Sequence, residues 1–146
     1  MSDPLYRKDL LRLAADARGA GRLAAPHVSG FAFNPSCGDK VVVDLQISDG
    51  RIAEFAHETK ACVLAQASSS ILGANLKGLD RKAVEELHAR VAGMLQRSAP
   101  PPSPPFDSYA LLCGAAEYKS RHRCVLLPVE AVLDALGKSP DARHAG

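Results

Sequence analysis

The sequence predicts a single domain built on a β-hairpin followed by a run of helices. Three observations carry this. Val41, Val43, Leu45 and Ile47 alternate with Val42, Asp44 and Gln46, the period of a half-buried strand, and Asp49-Gly50 then supplies a hairpin turn. Leu64, Ala67, Ile71 and Ala74 recur at helical spacing between Cys62 and Lys77. Val84, Leu87, Val91 and Leu95 make a second helical stripe, opposite the wet side of Lys82, Glu85, Glu86 and Arg90. A chain of 146 residues is long enough to bury one real core and short enough to need only one.

The elements follow in order. Asp3-Pro4 is a good helix start, with Asp as N-cap and Pro at the first helical position, and Leu5, Leu10, Leu11 and Leu13 give an apolar side up to about Ala17. Small residues from Gly19 to Pro26 form a connection, and Val28 to Phe33 reads as a short strand. The hairpin has Arg51 to His57 as its return arm, so Cys37 and Asp39, just before the first arm, meet Cys62, just after the second. Gly78 ends the first long helix and Asp80 caps the next. The run Ser98-Ala-Pro-Pro-Pro-Ser-Pro-Pro105 cannot continue a helix and is read as an extended connector. A further helix is expected from Asp107 to about Tyr118. A last one follows, approached through Arg121 to Cys124 with Pro128 near its first turn, and residues 139–146 are read as a frayed tail.

A net charge of +2, without a stretch mixing basic and aromatic residues, argues against nucleic acid as a partner. No apolar run approaches the ~20 residues that span a bilayer. Met1-Ser2-Asp3-Pro4 lacks the basic-then-apolar form of a secretory signal, so a reducing cytoplasm is the expected compartment. There, cysteines point to metal or catalysis before disulfides.

Three of the four cysteines stand in settings read as favouring the thiolate. Cys37 lies in the turn-like Asn34-Pro35-Ser36-Cys37-Gly38-Asp39, Cys62 opens a helix behind Lys60-Ala61, and Cys124 follows Arg121-His122-Arg123. Each has an alternative reading as a small buried hydrophobe, and Cys113, in the apolar stretch Tyr109-Ala-Leu-Leu-Cys-Gly, fits core packing best. Lys60 and Arg123 read as solvated charges, His122 as a surface histidine, and Ser68-Ser69-Ser70 as small residues that let a helix pack closely.

The motif Asn34-Pro35-Ser36-Cys37-Gly38-Asp39, then Cys62 with Ala67-Ser68-Ser69-Ser70, then Arg121-His122-Arg123-Cys124 before a leucine-rich helix, resembles the U-type iron–sulfur cluster assembly proteins, the group of IscU, SufU and the NifU N-terminal domain. The resemblance runs from roughly Tyr6 to Leu136. It implies an α+β domain, a three-stranded antiparallel sheet packed against about four to five helices, with a metal site at one exposed end. It also implies that Cys37, Cys62 and Cys124 are thiolate ligands and persulfide-acceptor candidates, with Asp39 as the oxygen ligand. The implied cargo is a transient [2Fe–2S] cluster or iron, with Zn2+ as the other candidate. The implied partners are a cysteine desulfurase and Fe–S acceptor or assembly proteins, the chain itself being a monomer or weak homodimer. Thiolates suit both iron–sulfur clusters and zinc, and one hard oxygen among them loosens a site that must release its cargo.

Two departures point to the SufU-like branch. Arg123 stands where IscU-like members place a histidine, His122 lying one residue further back, and residues from about Asp80 to Pro105 add a helix and a proline-rich linker between Cys62 and Cys124. A third departure is Lys60-Ala61 before Cys62, where many members have glycine; it sets Lys60 as a candidate countercharge over the site. Three readings stand side by side: a scaffold or carrier, a zinc-dependent sulfurtransferase, and a purely structural zinc module. Asp39 speaks against the last, since structural sites use Cys and His.

Overall fold

A computed structural model of the chain describes residues 8–138. The expected helix start at Asp3-Pro4 and the tail at 139–146 lie outside the described residues. Strands β1 (Val28–Asn34), β2 (Asp39–Ser48) and β3 (Arg51–Lys60) form one antiparallel sheet in the order β1-β2-β3. Helices α1 (Lys8–Asp16), α2 (Val63–Asn75), α3 (Arg81–Arg97) and α4 (Lys119–Gly137), with a 3-10 helix at Asp107–Glu117, complete an α+β domain.

The alternation in β2 works as expected on one side: Val41, Val43, Leu45 and Ile47 are all buried against the helices. Helix α4 lies across β1 and β2 and also packs on α2, α3 and the 3-10 helix. Gly30 permits this approach, because a Cβ there would run into the backbone of Ala131. The hairpin is longer than its alternation suggested and reaches Lys40 opposite Lys60. Asp80 caps α3 by accepting from the Ala83 amide at 2.9 Å, and Val84, Leu87, Val91 and Leu95 are buried as the stripe requires.

Four expectations need correcting. Arg121 to Cys124 lie inside α4, and Pro128 sits in its middle rather than its first turn. A mid-helix proline costs roughly 3 kcal/mol and removes the amide that would serve the Cys124 carbonyl. Burial of Cys124 to Val129, and of Ala131, Val132, Ala135 and Leu136, makes α4 the central helix and offsets that cost. Cys113 is exposed, not core. The segment from Asp107 winds as a 3-10 helix with three residues per turn, so Tyr109, Leu112 and Ala115 share the buried face and Cys113 turns outward. Leu11 is 44% exposed and Ala74 is exposed, so neither joins its helix's apolar face.

The triplet Ser68-Ser69-Ser70 does more than allow close packing. All three are fully buried, and each ties α2 to a different neighbour. Ser68 Oγ donates to the Val125 carbonyl of α4 at 2.7 Å and accepts from Tyr109 Oη at 2.7 Å. Ser69 Oγ bonds Thr59 Oγ1 at 2.8 Å, and Ser70 Oγ accepts from the Arg18 amide at 3.1 Å. Thr59 in turn bonds His57 Nδ1 at 2.9 Å, while His57 Nε2 donates to the Arg18 carbonyl at 2.9 Å. Burial lowers the His57 pKa, so the ring is neutral and this chain of donors and acceptors is fixed.

Asp44 was read as part of the polar face of β2, yet it is buried. Arg22 grips it at 2.7 and 2.9 Å, Ser29 Oγ donates at 2.6 Å and the Leu23 amide at 3.1 Å. The segment before β1 thereby covers the outer sheet face around Asp44, also receiving Gln46 Nε2 at the Ala25 carbonyl.

Candidate metal centre

The turn between β1 and β2 is built by Asn34. Its side-chain oxygen accepts from the Ser36 amide at 3.1 Å, and its carbonyl accepts from Cys37 and Gly38 at 3.3 and 2.8 Å. Gly38 takes the left-handed φ of 78° that closes this turn, a conformation costly for any residue with a Cβ. The outcome is an exposed Cys37 at the tip and a buried Asp39 opposite Asn34.

Asp39 faces the start of α2. Its Oδ2 accepts from the Cys62 amide at 3.2 Å, where Cys62 is the N-cap in extended conformation. The antiparallel hairpin thus joins its two flanks, as its spacing predicted. Cys124, buried on α4, arrives from the other end of the sequence. The donor atoms of Cys37, Asp39 and Cys124 all lie within 4.8 Å of one another. Cys62 stands beside this trio, its thiol interacting with both Asp39 and Cys124. Gln66 steadies this end of α2 by donating to the Thr59 carbonyl at 2.6 Å.

The electrostatics run against the sequence expectation of thiolate-favouring cations. Burial pushes the Cys62 thiol up, with the Asp39 charge adding to it and the Ala65 amide at the helix start pulling the other way. Cys124 is pushed up strongly by burial, and then by the charges of Cys62, Cys37 and Asp39. The neighbouring cations point elsewhere. Arg123 donates to the Phe33 carbonyl at 3.2 Å and pairs with Glu130 at 3.6 Å. His122 Nε2 bonds the Ala116 carbonyl at 3.0 Å, and Lys60 is exposed on the sheet. Thiols held protonated by burial beside a carboxylate fit a metal ion, which would supply the positive charge that favours their thiolates.

The serine triplet and Tyr109, which set α2 against α4, were missed as site-supporting residues. The one signal for them was three consecutive hydroxyls inside an otherwise apolar helix.

Comparisons with known proteins agree with this fold. The family described as NifU-like N terminal domain matches residues 5–125. The solved structure of a nitrogen-fixing NifU-like protein (N-terminal) from Brucella abortus is 31% identical, with a TM-score of 0.89, over 99% of this chain and 98% of that one. An iron–sulfur cluster assembly scaffold protein IscU of Thermotoga maritima is 26% identical over 92% of this chain and 94% of its own. The zinc-dependent sulfurtransferase SufU of Bacillus subtilis is also 26% identical, over 93% of this chain and 92% of its own.

Proposed function

The chain belongs to the NifU-like N terminal domain family, and from that premise we propose that it is an iron–sulfur cluster assembly scaffold that takes sulfur from a cysteine desulfurase. The observation that carries this reading is the convergence of Cys37, Asp39 and Cys124 within 4.8 Å at one end of the sheet, with Cys62 adjoining. Cys37, Cys62 and Cys124 serve as thiolate ligands and Asp39 as the oxygen ligand of a transient [2Fe–2S] cluster or a metal ion. Cys62, beside this trio, is the fourth donor of the proposed set.

Sulfur arrives by exchange. The thiolate of an acceptor cysteine attacks the terminal sulfur of the donor's persulfide, a new S–S bond forms, the old one breaks, and the donor leaves as a thiolate. No net oxidation occurs. Cys37, exposed at its turn, is the most accessible acceptor.

A second reading, a zinc-dependent sulfurtransferase, is favoured by Arg123 standing before Cys124 and by α3 with its proline-rich connector between Cys62 and Cys124. One experiment separates the two. Metal and acid-labile sulfide are measured in anaerobically purified protein before and after incubation with a cysteine desulfurase, cysteine and ferrous iron. A visible-absorbing cluster that forms and passes to an apo-acceptor supports the scaffold. Stoichiometric zinc that iron does not displace, with sulfur gained on a cysteine, supports the sulfurtransferase. Neither metal nor sulfur uptake refutes both.

A further inference from the structure

The sheet carries a bare patch on the face away from the helices. Phe31 and Phe33 are 49% and 42% exposed and stack with ring centroids 6.4 Å apart. Across the strands, Phe31 pairs with Val42, and Phe33 with Lys40, which itself pairs with Lys60. Lys40 and Lys60 are both exposed, and neither ammonium has an ion-pair partner among the described residues. Like charges directly opposite on a sheet are destabilising, and a contiguous exposed apolar patch rimmed by polar residues is a candidate interaction site.

The rest of this side is partly covered, and the exposed Glu58 opposite Val42 is engaged by Arg22 at 3.5 Å. Residues before β1 cover the face around Asp44 through Arg22. The open edge of β1 is sealed by α4: Asp134 accepts from the Phe31 amide at 2.9 Å, while Arg123 and Lys138 donate to the Phe33 and Ser29 carbonyls at 3.2 and 3.3 Å. A partner therefore cannot add a strand there, and is left the face.

We propose that Phe31, Phe33, Val42, Lys40 and Lys60 form the docking surface for the sulfur donor, a protein presenting carboxylates around an apolar patch. This rests on the reading of the chain as a sulfur acceptor. The patch ends at the turn that holds Cys37, so a protein seated on the rings reaches the exposed thiol without crossing the buried Cys124. A second copy of this chain is a poor occupant, because a two-fold contact would bring lysine pairs together.

Affinity for the organism's own cysteine desulfurase is measured by calorimetry for the wild-type chain, for Lys40→Gln with Lys60→Gln, and for Phe31→Ser with Phe33→Ser. Each double variant should raise Kd by about tenfold or more with metal content unchanged, and the lysine variant should also lose most of the salt dependence between about 50 and about 300 mM. A wild-type chain that binds and takes sulfur, with both variants binding within about twofold of it, overturns the docking surface alone. A wild-type chain that neither binds nor takes sulfur overturns the sulfur-acceptor reading itself. Should the phenylalanine variant fold poorly, the exposed lysine pair decides the matter by itself. Loss of self-association in sedimentation, with desulfurase binding intact, would make a second copy the occupant and refute the proposal.

Discussion

Replacing Ser68 by alanine should weaken the domain and its metal site together. Ser68 Oγ is the junction between α2, which begins behind Cys62, α4, which carries Cys124, and the 3-10 helix, which carries Tyr109. It and Tyr109 are fully buried. Burial raises the Tyr109 pKa, so the phenol keeps its proton and acts as donor at any working pH. In Ser68→Ala the phenol loses its 2.7 Å acceptor and retains only the Ser68 carbonyl at 3.5 Å, beyond good hydrogen-bond range. Leaving a buried hydroxyl unsatisfied costs about 1–3 kcal/mol, so the loss should be about 2 kcal/mol. In a chain of 146 residues that is a fall of about 4–8 °C in the thermal midpoint. Tyr109→Phe added to Ser68→Ala removes the orphaned group and should return about 1 kcal/mol. Urea denaturation of chelator-treated, reduced protein measures both, and competition with a zinc chelator shows whether affinity falls in parallel. A Ser68→Ala variant within about 0.5 kcal/mol of wild type, or a double variant no more stable than the single one, refutes the reasoning.

Three further outcomes are expected. Asp39→Ala should hold its cluster longer and slow transfer to an apo-acceptor by about tenfold, equivalent to ~1.4 kcal/mol, as read by the loss of visible absorbance; unchanged release would remove Asp39 from its role in lability. Asp44, held below the usual carboxylate range chiefly by its hydrogen bonds from Arg22, should contribute stability in full above about pH 4, and lose it as pH falls through its lower folded value. Asp44→Asn should therefore flatten the acid limb of a stability-versus-pH curve, and an unchanged slope would contradict the assignment. Cys113→Ser should leave metal content intact, and Cys113 should react with a maleimide in metal-loaded protein; loss of one metal equivalent would mean that the ligand set is wrong.

Much of the scaffold was legible in the chain. The alternation of Val41 to Ile47, the Asp49-Gly50 turn and the Asp80 cap are local signals, and each appears where it was read. So does the meeting of Asp39 with Cys62, because an antiparallel hairpin joins its flanks whatever surrounds it. Local signals suffice for that much, and the motif marked Cys37 and Asp39, whose donor atoms meet that of Cys124 within 4.8 Å.

The remainder depends on how distant elements pack. Cys124 reaches the site through a helix that continues across Pro128, because burial on nearly every side outweighs the lost hydrogen bond. Cys113 faces solvent because its segment winds three residues per turn, a difference of period that composition does not reveal. Arg123 bonds Phe33 and Glu130, His122 bonds Ala116 and Lys60 lies exposed on the sheet, so proximity along the chain misjudged the thiols' electrostatics. Charge acts through space and burial, and neither is fixed until distant elements pack together.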